Sequence, residues 1–217
     1  MEPQFWHERW ENQQLGFHQP EVNHFLTKHW PDLQLSSGKV FVPLCGKSVD
    51  MRYLAEQGFQ ILGSEFSEIA VRQFFAENGL TPEIIAGQPI SCYQQHNYQL
   101  LLGDFFELTA EHVHDCTAFY DRASMVALPE EMRQHYVRHL ANILPSGCCG
   151  LVILLEYPQE ALPGPAFSVS QAWLEQYMGA HFVIEQLASY DVLQENQKFV
   201  KNGVPWLQEN IYRITRN

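Results

Sequence analysis

A short turn followed by an acidic residue is the feature of this sequence that most directly suggests chemistry. The apolar run VFVPL ends in a turn that contains Leu44 and Gly46, and Glu65 ends the next apolar run about 20 residues later. In α/β proteins that bind nucleosides, such a turn brings the backbone close to the ligand, and the acid accepts hydrogen bonds from ribose hydroxyls. The spacing therefore predicts a site for a ligand that carries a ribose.

The same turn argues against a bound pyrophosphate. It holds one glycine rather than the three of a dinucleotide fingerprint, and Lys47-Ser48 does not complete a phosphate-binding loop because position 41 is Phe41, not glycine. A cofactor with a ribose but no phosphate fits better, and S-adenosylmethionine is the common one. A glutamate that merely ends a solvated strand is the alternative.

Strands and helices alternate along most of the chain, which would bring these residues to one edge of a sheet. The last two apolar runs, FVIEQLASYDV and WLQENIYRIT, have no helical pattern between them, so we expect an antiparallel hairpin there. The alternation predicts an α/β fold with a doubly wound, mostly parallel sheet, whose ligands bind at the carboxyl ends of the strands. The predicted helices span about residues 49–57, 67–80, 129–144 and 170–178.

Composition narrows the class of protein further. The chain has 217 residues, 46% of them apolar, which suits one domain over residues 1–217 with an N-terminal helical lid at 1–35. A net charge of −12 repels phosphate backbones and anionic lipid, so neither nucleic acid nor membrane is an expected partner. No apolar run reaches the roughly 18 residues of a membrane span, and no secretory signal is visible, so we expect a cytoplasmic protein.

Cysteine and histidine residues give no recognisable metal site. Five cysteines without a CxxC pair indicate reduced thiols. His135 and His139 could share one helix face, as zinc ligands do, but no HExxH motif or third ligand accompanies them, so a solvated face is the preferred interpretation. Cys45 lies at a helix start without a Cys-His-Asn set, so we interpret it as a small turn residue rather than a nucleophile.

Several motifs together resemble the thiopurine S-methyltransferase family (bacterial type) of class I S-adenosylmethionine-dependent methyltransferases. The resemblance covers nearly the whole chain and implies a seven-stranded Rossmann-like sheet with an antiparallel last strand and an N-terminal helical cover. The motifs are Trp10 with Gly16-Phe17-His18, PLCGK at 43–47, GSEFSE at 63–68, Phe74-Phe75, YDRASMVAL at 120–128 and PGPAFSV at 163–169.

The resemblance implies roles for four residues around the cosubstrate S-adenosylmethionine. Leu44 would offer its backbone to the methionine part, and Glu65 would bind the ribose hydroxyls. Asp104 and Phe105 would flank the adenine, with the aromatic ring as a stacking face. Asp104 replaces a smaller polar residue of some relatives.

Two further residues would close the site by the same resemblance. Trp10 would cover the cofactor from the N-terminal segment, although Trp6, Trp10 and Phe17 could also simply pack a helical flap on the sheet. Arg122 would lie between cofactor and substrate, where it would bind the cofactor and position the acceptor. The chain departs from the family pattern at Ala123, where many relatives have glycine. No general base can be identified from the sequence.

The implied activity is transfer of a methyl group to the sulfur of thiopurine-like aromatic or heterocyclic thiols by a monomer. The alternatives are a methyltransferase for small thiols, halides or selenium and tellurium species, a nicotinamide-dependent oxidoreductase, and a non-catalytic cofactor-binding module. For either kind of methyltransferase, the expected partner is a small-molecule thiol or chalcogen acceptor.

Overall fold

The computed structural model describes Glu8, Trp10, Asn12 and residues 19–217. The expectations for Trp6 and for Gly16-Phe17-His18, and with them much of the predicted lid at 1–35, concern residues outside this set. Within it, no helix is both long enough and apolar enough to cross a membrane.

One mixed sheet organises the described residues. Its order is β3-β4-β5-β2-β1-β6-β7-β9-β8. The five central strands, from β5 to β7, pair in parallel, and every other pairing is antiparallel. The strands are β1 (Lys39–Val42), β2 (Gln60–Glu65), β3 (Glu83–Ile85), β4 (Ser91–Gln95), β5 (Tyr98–Leu102), β6 (Cys116–Arg122), β7 (Cys149–Glu156), β8 (Phe182–Asp191) and β9 (Gln208–Arg216).

Strands β3 and β4 are additions to the seven strands expected from the sequence. All three residues of β3 are exposed, and β4 buries only Tyr93. A solvated edge strand needs no apolar run, so neither strand produces the pattern on which the sequence prediction rests. The expected hairpin between β8 and β9 at the other edge is confirmed.

Helices cover both faces of the sheet, as a doubly wound fold requires. The first hydrophobic core packs α1, α2, α3 and α8 against one face, and the second packs α4 to α7 against the other. The helices are α1 (His24–His29), α2 (Asp50–Glu56), α3 (Glu68–Glu77), α4 (Ala110–Val113), α5 (Ser124–Ala127), α6 (Glu130–Ile143), α7 (Gln171–Met178) and α8 (Gln197–Lys201).

Helix α8 corrects one expectation, because the sequence shows no helical pattern between β8 and β9. It has five residues and buries only Phe199, which is too short for a helical period to show in the sequence. The longer helices begin and end close to the expected places. Helix α6, for example, follows Pro129, and helix α7 follows Ser170, whose side chain accepts a hydrogen bond from the backbone N–H of Trp173.

Candidate functional site

A cavity of about 440 Å³ lies at the carboxyl ends of β1, β2, β5 and β6. Its volume falls in the range of roughly 300–1,000 Å³ that is usual for small-molecule sites. Five of the six residues predicted to surround the cofactor line it together: Trp10, Leu44, Glu65, Asp104 and Phe105.

Among the described residues of the cavity wall, Glu65 is the one acidic side chain that is buried, with 4% of its surface exposed. Its Oε2 atom accepts a hydrogen bond from the N–H of Gly46 at 2.8 Å, and Oε1 accepts from the N–H groups of Phe66 and Ser67 at 3.0 and 2.9 Å. Burial raises the pKa of Glu65, and these backbone hydrogen bonds oppose that rise. The carboxylate is thus held in one orientation while lone pairs remain for ligand hydroxyls.

The turn after β1 has an unusual backbone. Leu44 has φ 47° and Gly46 has φ 54°, both in the left-handed region. The turn is tied to β2 by hydrogen bonds from the N–H of Leu44 to Oγ of Ser64 and from the N–H of Cys45 to the carbonyl of Ser64, at 3.3 and 2.9 Å. A leucine in this conformation is strained, and such strain is characteristic of ligand-binding turns.

Cys45 in the same turn is buried with 6% exposure. Burial raises the pKa of its thiol well above the ordinary value, and the negative charge of Glu65 raises it further. A thiol of this kind is a poor nucleophile, which agrees with the interpretation of Cys45 as a turn residue.

Asp104 and Phe105 form another wall, after β5. Oδ1 of Asp104 accepts a hydrogen bond from the N–H of Phe106 at 2.9 Å and so begins a short 3₁₀ turn at Phe105–Glu107. Phe105 is only 3% exposed, and its ring packs on Tyr136 and His139 at centroid distances of 4.9 and 5.1 Å. Phe106 lines the cavity too and is 40% exposed, so it offers a freer aromatic face than Phe105.

A third wall comes from α5, which lies within the motif YDRASMVAL, and from the start of α6, which no sequence motif indicated as part of the site. Asp121 is fully buried, accepts hydrogen bonds from the Tyr136 hydroxyl at 2.7 Å and from the N–H of Ser124 at 3.2 Å, and thereby anchors the turn after β6. In the sequence, Met132 and Tyr136 belong to an apolar helix face, which gives no sign that this face also borders a cavity. The lining residues of this wall are Ala123, Ser124, Ala127, Leu128, Met132 and Tyr136.

Arg122 does not line this cavity, although its neighbours Ala123 and Ser124 do. Its Nε atom donates a hydrogen bond to Oδ2 of Asp50 at 3.0 Å, on the sheet face of the first core. The same Oδ2 accepts a hydrogen bond from the hydroxyl of Tyr120 at 2.9 Å. The guanidinium therefore lies beside the cavity, across the end of β6 from it.

Trp10 borders the cavity and is 3% exposed. A large indole at this position restricts access of water to the enclosed volume. This placement fits the covering role expected for Trp10.

The residues present fit S-adenosylmethionine. The cavity joins a fixed carboxylate acceptor to a largely apolar, aromatic wall, which are the groups that a ribose diol and an adenine ring require. Among residues 19–217 and the three described positions before them, no group of three or more side chains could hold a metal ion. His135 is exposed, whereas His139 packs on Phe105 and Phe106.

A second cavity, of about 530 Å³, lies at the amino ends of the strands, on the opposite edge of the sheet. Its wall is polar and includes Lys39, Gln60, Gln95 and Asn97. Ligands of doubly wound sheets bind at the carboxyl edge, so the first cavity is the candidate site.

Comparisons with known proteins agree on one family. A sequence model of the thiopurine S-methyltransferase family matches residues 1–217. The thiopurine S-methyltransferases of Shewanella loihica and Shewanella amazonensis are 49% and 51% identical to this chain over 217 residues, which is 100% of both chains in each case. A SAM-dependent methyltransferase from Anabaena variabilis has a TM-score of 0.68 at 14% identity, over 98% of this chain and 93% of that chain, and this likeness concerns the fold alone.

Proposed function

Because the chain belongs to the thiopurine S-methyltransferase family, we propose that its carboxyl-edge cavity binds S-adenosylmethionine and that Arg122 positions the acceptor beside it. The chain is an S-adenosylmethionine-dependent S-methyltransferase.

One observation carries the assignment of the cosubstrate site: the buried carboxylate of Glu65, fixed by three backbone N–H groups at the edge of the cavity. In this proposal Glu65 accepts hydrogen bonds from the ribose hydroxyls of S-adenosylmethionine, and the strained backbone at Leu44 faces the methionine part of that molecule. Asp104 and Phe105 border the adenine, and Phe106 adds the more exposed ring. Trp10 covers the bound molecule.

The proposed acceptors are aromatic or heterocyclic thiols. Their methylation requires no covalent intermediate with the protein. S-Adenosylmethionine supplies a methyl group on a sulfonium centre, and an in-line attack by sulfur removes that charge. The residues of this chain align the two partners, which contributes up to about 7–11 kcal/mol in favourable cases, and exclude water through Trp10. Arg122 holds a polar or anionic edge of the acceptor.

The test is methyl transfer from labelled S-adenosylmethionine to a panel of heteroaromatic thiols, aliphatic thiols and selenite, with products identified by mass spectrometry. We expect the heteroaromatic thiols to give the highest kcat/KM. A preference for aliphatic thiols, halide or selenite would establish the alternative acceptor class. Tight binding of S-adenosylhomocysteine without any transfer would instead indicate a non-catalytic binding module.

We further propose that the chain acts as a single domain and a monomer. Both hydrophobic cores pack on the same sheet, which supports one domain. The large apolar side chains that are exposed are scattered, with Ile84 and Ile85 at one sheet edge and Val183 at the other, and form no single broad patch among the described residues. Light scattering after size exclusion tests this, and a dimer mass would contradict it.

A further inference from the structure

Glu209 lies at the start of β9, on the sheet face that carries Arg122. It pairs with Leu155 of β7 and with Tyr190 of β8, and Arg122 pairs with Ile153, two residues before Leu155. Alternate residues of a strand point to the same face, and paired residues of adjacent strands share a face. The carboxylate and the guanidinium therefore lie on one face of the sheet at its carboxyl edge, with β7 between their strands, and their charges interact.

Both groups retain hydrogen-bonding capacity. Arg122 donates its Nε–H to Asp50, and within the described part of the chain its two Nη groups donate to no protein acceptor. Glu209 is half-buried, and its side-chain carboxylate accepts no hydrogen bond from any described residue. A set of planar donors thus lies near a free carboxylate, beside the cosubstrate cavity and not inside it.

The surroundings of Glu209 make it a proton acceptor near neutral pH. Burial raises its pKa to about 7; the positive charge of Arg122 opposes this rise, and the negative charge of Glu195 adds to it. Carboxylates with such a pKa are effective general bases at neutral pH. The titratable side chains around Glu209 are Arg122 of β6, Tyr120 of β6, Tyr190 of β8 and Glu195 of the turn at Leu193–Glu195.

Heterocyclic thiols of the thioamide type carry their proton on a ring nitrogen next to a C=S group. That proton must leave before or during methylation if the product is to be neutral. We propose that Glu209 is the general base that accepts the ring N–H proton of a cyclic thioamide acceptor, an inference that rests on the proposed function. The Nη groups of Arg122 then donate to another acceptor atom of the same heterocycle and fix its orientation.

The step balances without an oxidant or reductant. The N–H bond breaks, its proton moves to the carboxylate of Glu209, and its electron pair forms the ring C=N bond. The C=S π pair moves onto sulfur, which bonds the methyl carbon while the bond from that carbon to the sulfonium sulfur breaks. The products are an S-methyl heterocycle, S-adenosylhomocysteine and protonated Glu209, which returns its proton to water.

The test compares Glu209→Gln with the wild-type enzyme on two acceptors. A mercaptopurine carries the ring N–H, whereas para-nitrothiophenol has none and is already a thiolate near neutral pH. We expect kcat/KM for the mercaptopurine to fall at least about 10²-fold, the usual worth of a general base, and that for para-nitrothiophenol to stay within about 2-fold. The defect should shrink as the pH rises above the acceptor's own pKa. Equal losses on both acceptors, or no loss on either, would overturn the proposal.

A second variant tests the same inference without removing Glu209. Glu195→Gln takes away a like charge and lowers the pKa of Glu209, so the rise of kcat/KM with pH on the mercaptopurine should move to lower pH. Glu185→Gln, an equivalent change at an exposed position of β8, is the matched control and should not move the profile. Identical profiles for Glu195→Gln and the wild type would count against the assignment.

The outcomes separate the two proposals. If the wild-type enzyme methylates neither acceptor, the proposed function fails and the role of Glu209 fails with it. If it methylates both and Glu209→Gln behaves like the wild type, only the general base is wrong. Unchanged affinity for S-adenosylhomocysteine and an unchanged melting temperature would show that Glu209→Gln is folded.

Discussion

The Nε atom of Arg122 lies 3.0 Å from Oδ2 of Asp50, across 72 residues of sequence. Asp50 is 1% exposed and also accepts hydrogen bonds from the hydroxyl of Tyr120 and the N–H of Asn23. One carboxylate therefore joins the start of α2, the end of β6 and the segment that precedes α1. This carboxylate holds the Nε end of the Arg122 side chain in place. The Nη groups take no part in the pairing, but it sets their orientation.

Asp50→Asn should impair use of the acceptor much more than binding of the cosubstrate. Breaking a buried ion pair costs about 3–5 kcal/mol of unfolding free energy and leaves Arg122 without its anchor. We expect kcat/KM for a heteroaromatic thiol to fall at least about 10-fold, with the Kd of S-adenosylhomocysteine within about 3-fold. Glu56→Gln, which breaks the exposed pair with Arg52 on the same helix, is the control and should change little.

Replacement of Glu65 should act on the cosubstrate. Glu65→Ala removes the acceptor of the proposed ribose hydrogen bonds, each worth about 1.5–3 kcal/mol because the acceptor is charged. Titration calorimetry with S-adenosylhomocysteine should therefore show a Kd raised by about 10²-fold. Glu111→Ala, at an exposed position of α4, should leave the Kd unchanged. An unchanged Kd for Glu65→Ala would remove this residue from the ribose site.

The central strands and the positions of the candidate residues could be predicted from the sequence because buried parallel strands are continuous apolar runs. Their carboxyl ends meet at one edge, so the order of the strands along the chain is enough to place Leu44, Glu65 and Phe105 near one another. Strands β3 and β4 could not be predicted in this way, because solvated edge strands lack that signal.

Contacts between side chains that are distant along the chain could not be predicted from the sequence either. Nothing in the residues around Asp50 indicates Arg122 as its partner, since the pairing depends on how α2 and β6 pack. The same holds for Glu209, whose position on the sheet face of Arg122 follows from the register of β9 on β7. The sequence does not single out Phe106, because Phe105 and Phe106 are adjacent and only packing decides which ring stays exposed.

The two phenylalanines after β5 should separate binding from stability. Phe106→Ala removes the more exposed ring and should raise the Kd of S-adenosylhomocysteine by about 2- to 10-fold, the value of one aromatic contact, with little change in stability. Phe105→Ala removes a buried ring, leaves a cavity in the second core and should lower the free energy of unfolding by about 3–5 kcal/mol. Calorimetry and urea denaturation measure both effects, and the reverse pattern would show that Phe105 provides the binding face.

Asp121 should make stability depend on pH. Burial raises its pKa to about 6, above the ordinary 3.8, so between these values the folded state binds more protons than the unfolded state. Stability from this group is full below about pH 4 and is lost as the pH rises through about 6, by on the order of 3 kcal/mol. In Asp121→Asn the amide can still accept from Ser124 and donate to Tyr136. Urea denaturation should show that the variant gains stability relative to the wild type between about pH 4.5 and 7.5, and a constant difference would contradict this.

Replacement by glycine should have opposite effects on stability at two alanines that line the cavity. Ala123 has φ 74°, a left-handed conformation that costs a residue with a Cβ about 1–2 kcal/mol, whereas Ala127 ends helix α5. Ala123→Gly removes that strain, but the greater freedom of glycine in the unfolded chain lowers the free energy of unfolding by about 0.4–1 kcal/mol, so a net gain of up to about 1.5 kcal/mol is expected. Ala127→Gly brings no relief and should destabilise by up to about 1 kcal/mol. If urea denaturation gave losses of equal size, the turn after β6 would not be strained at Ala123.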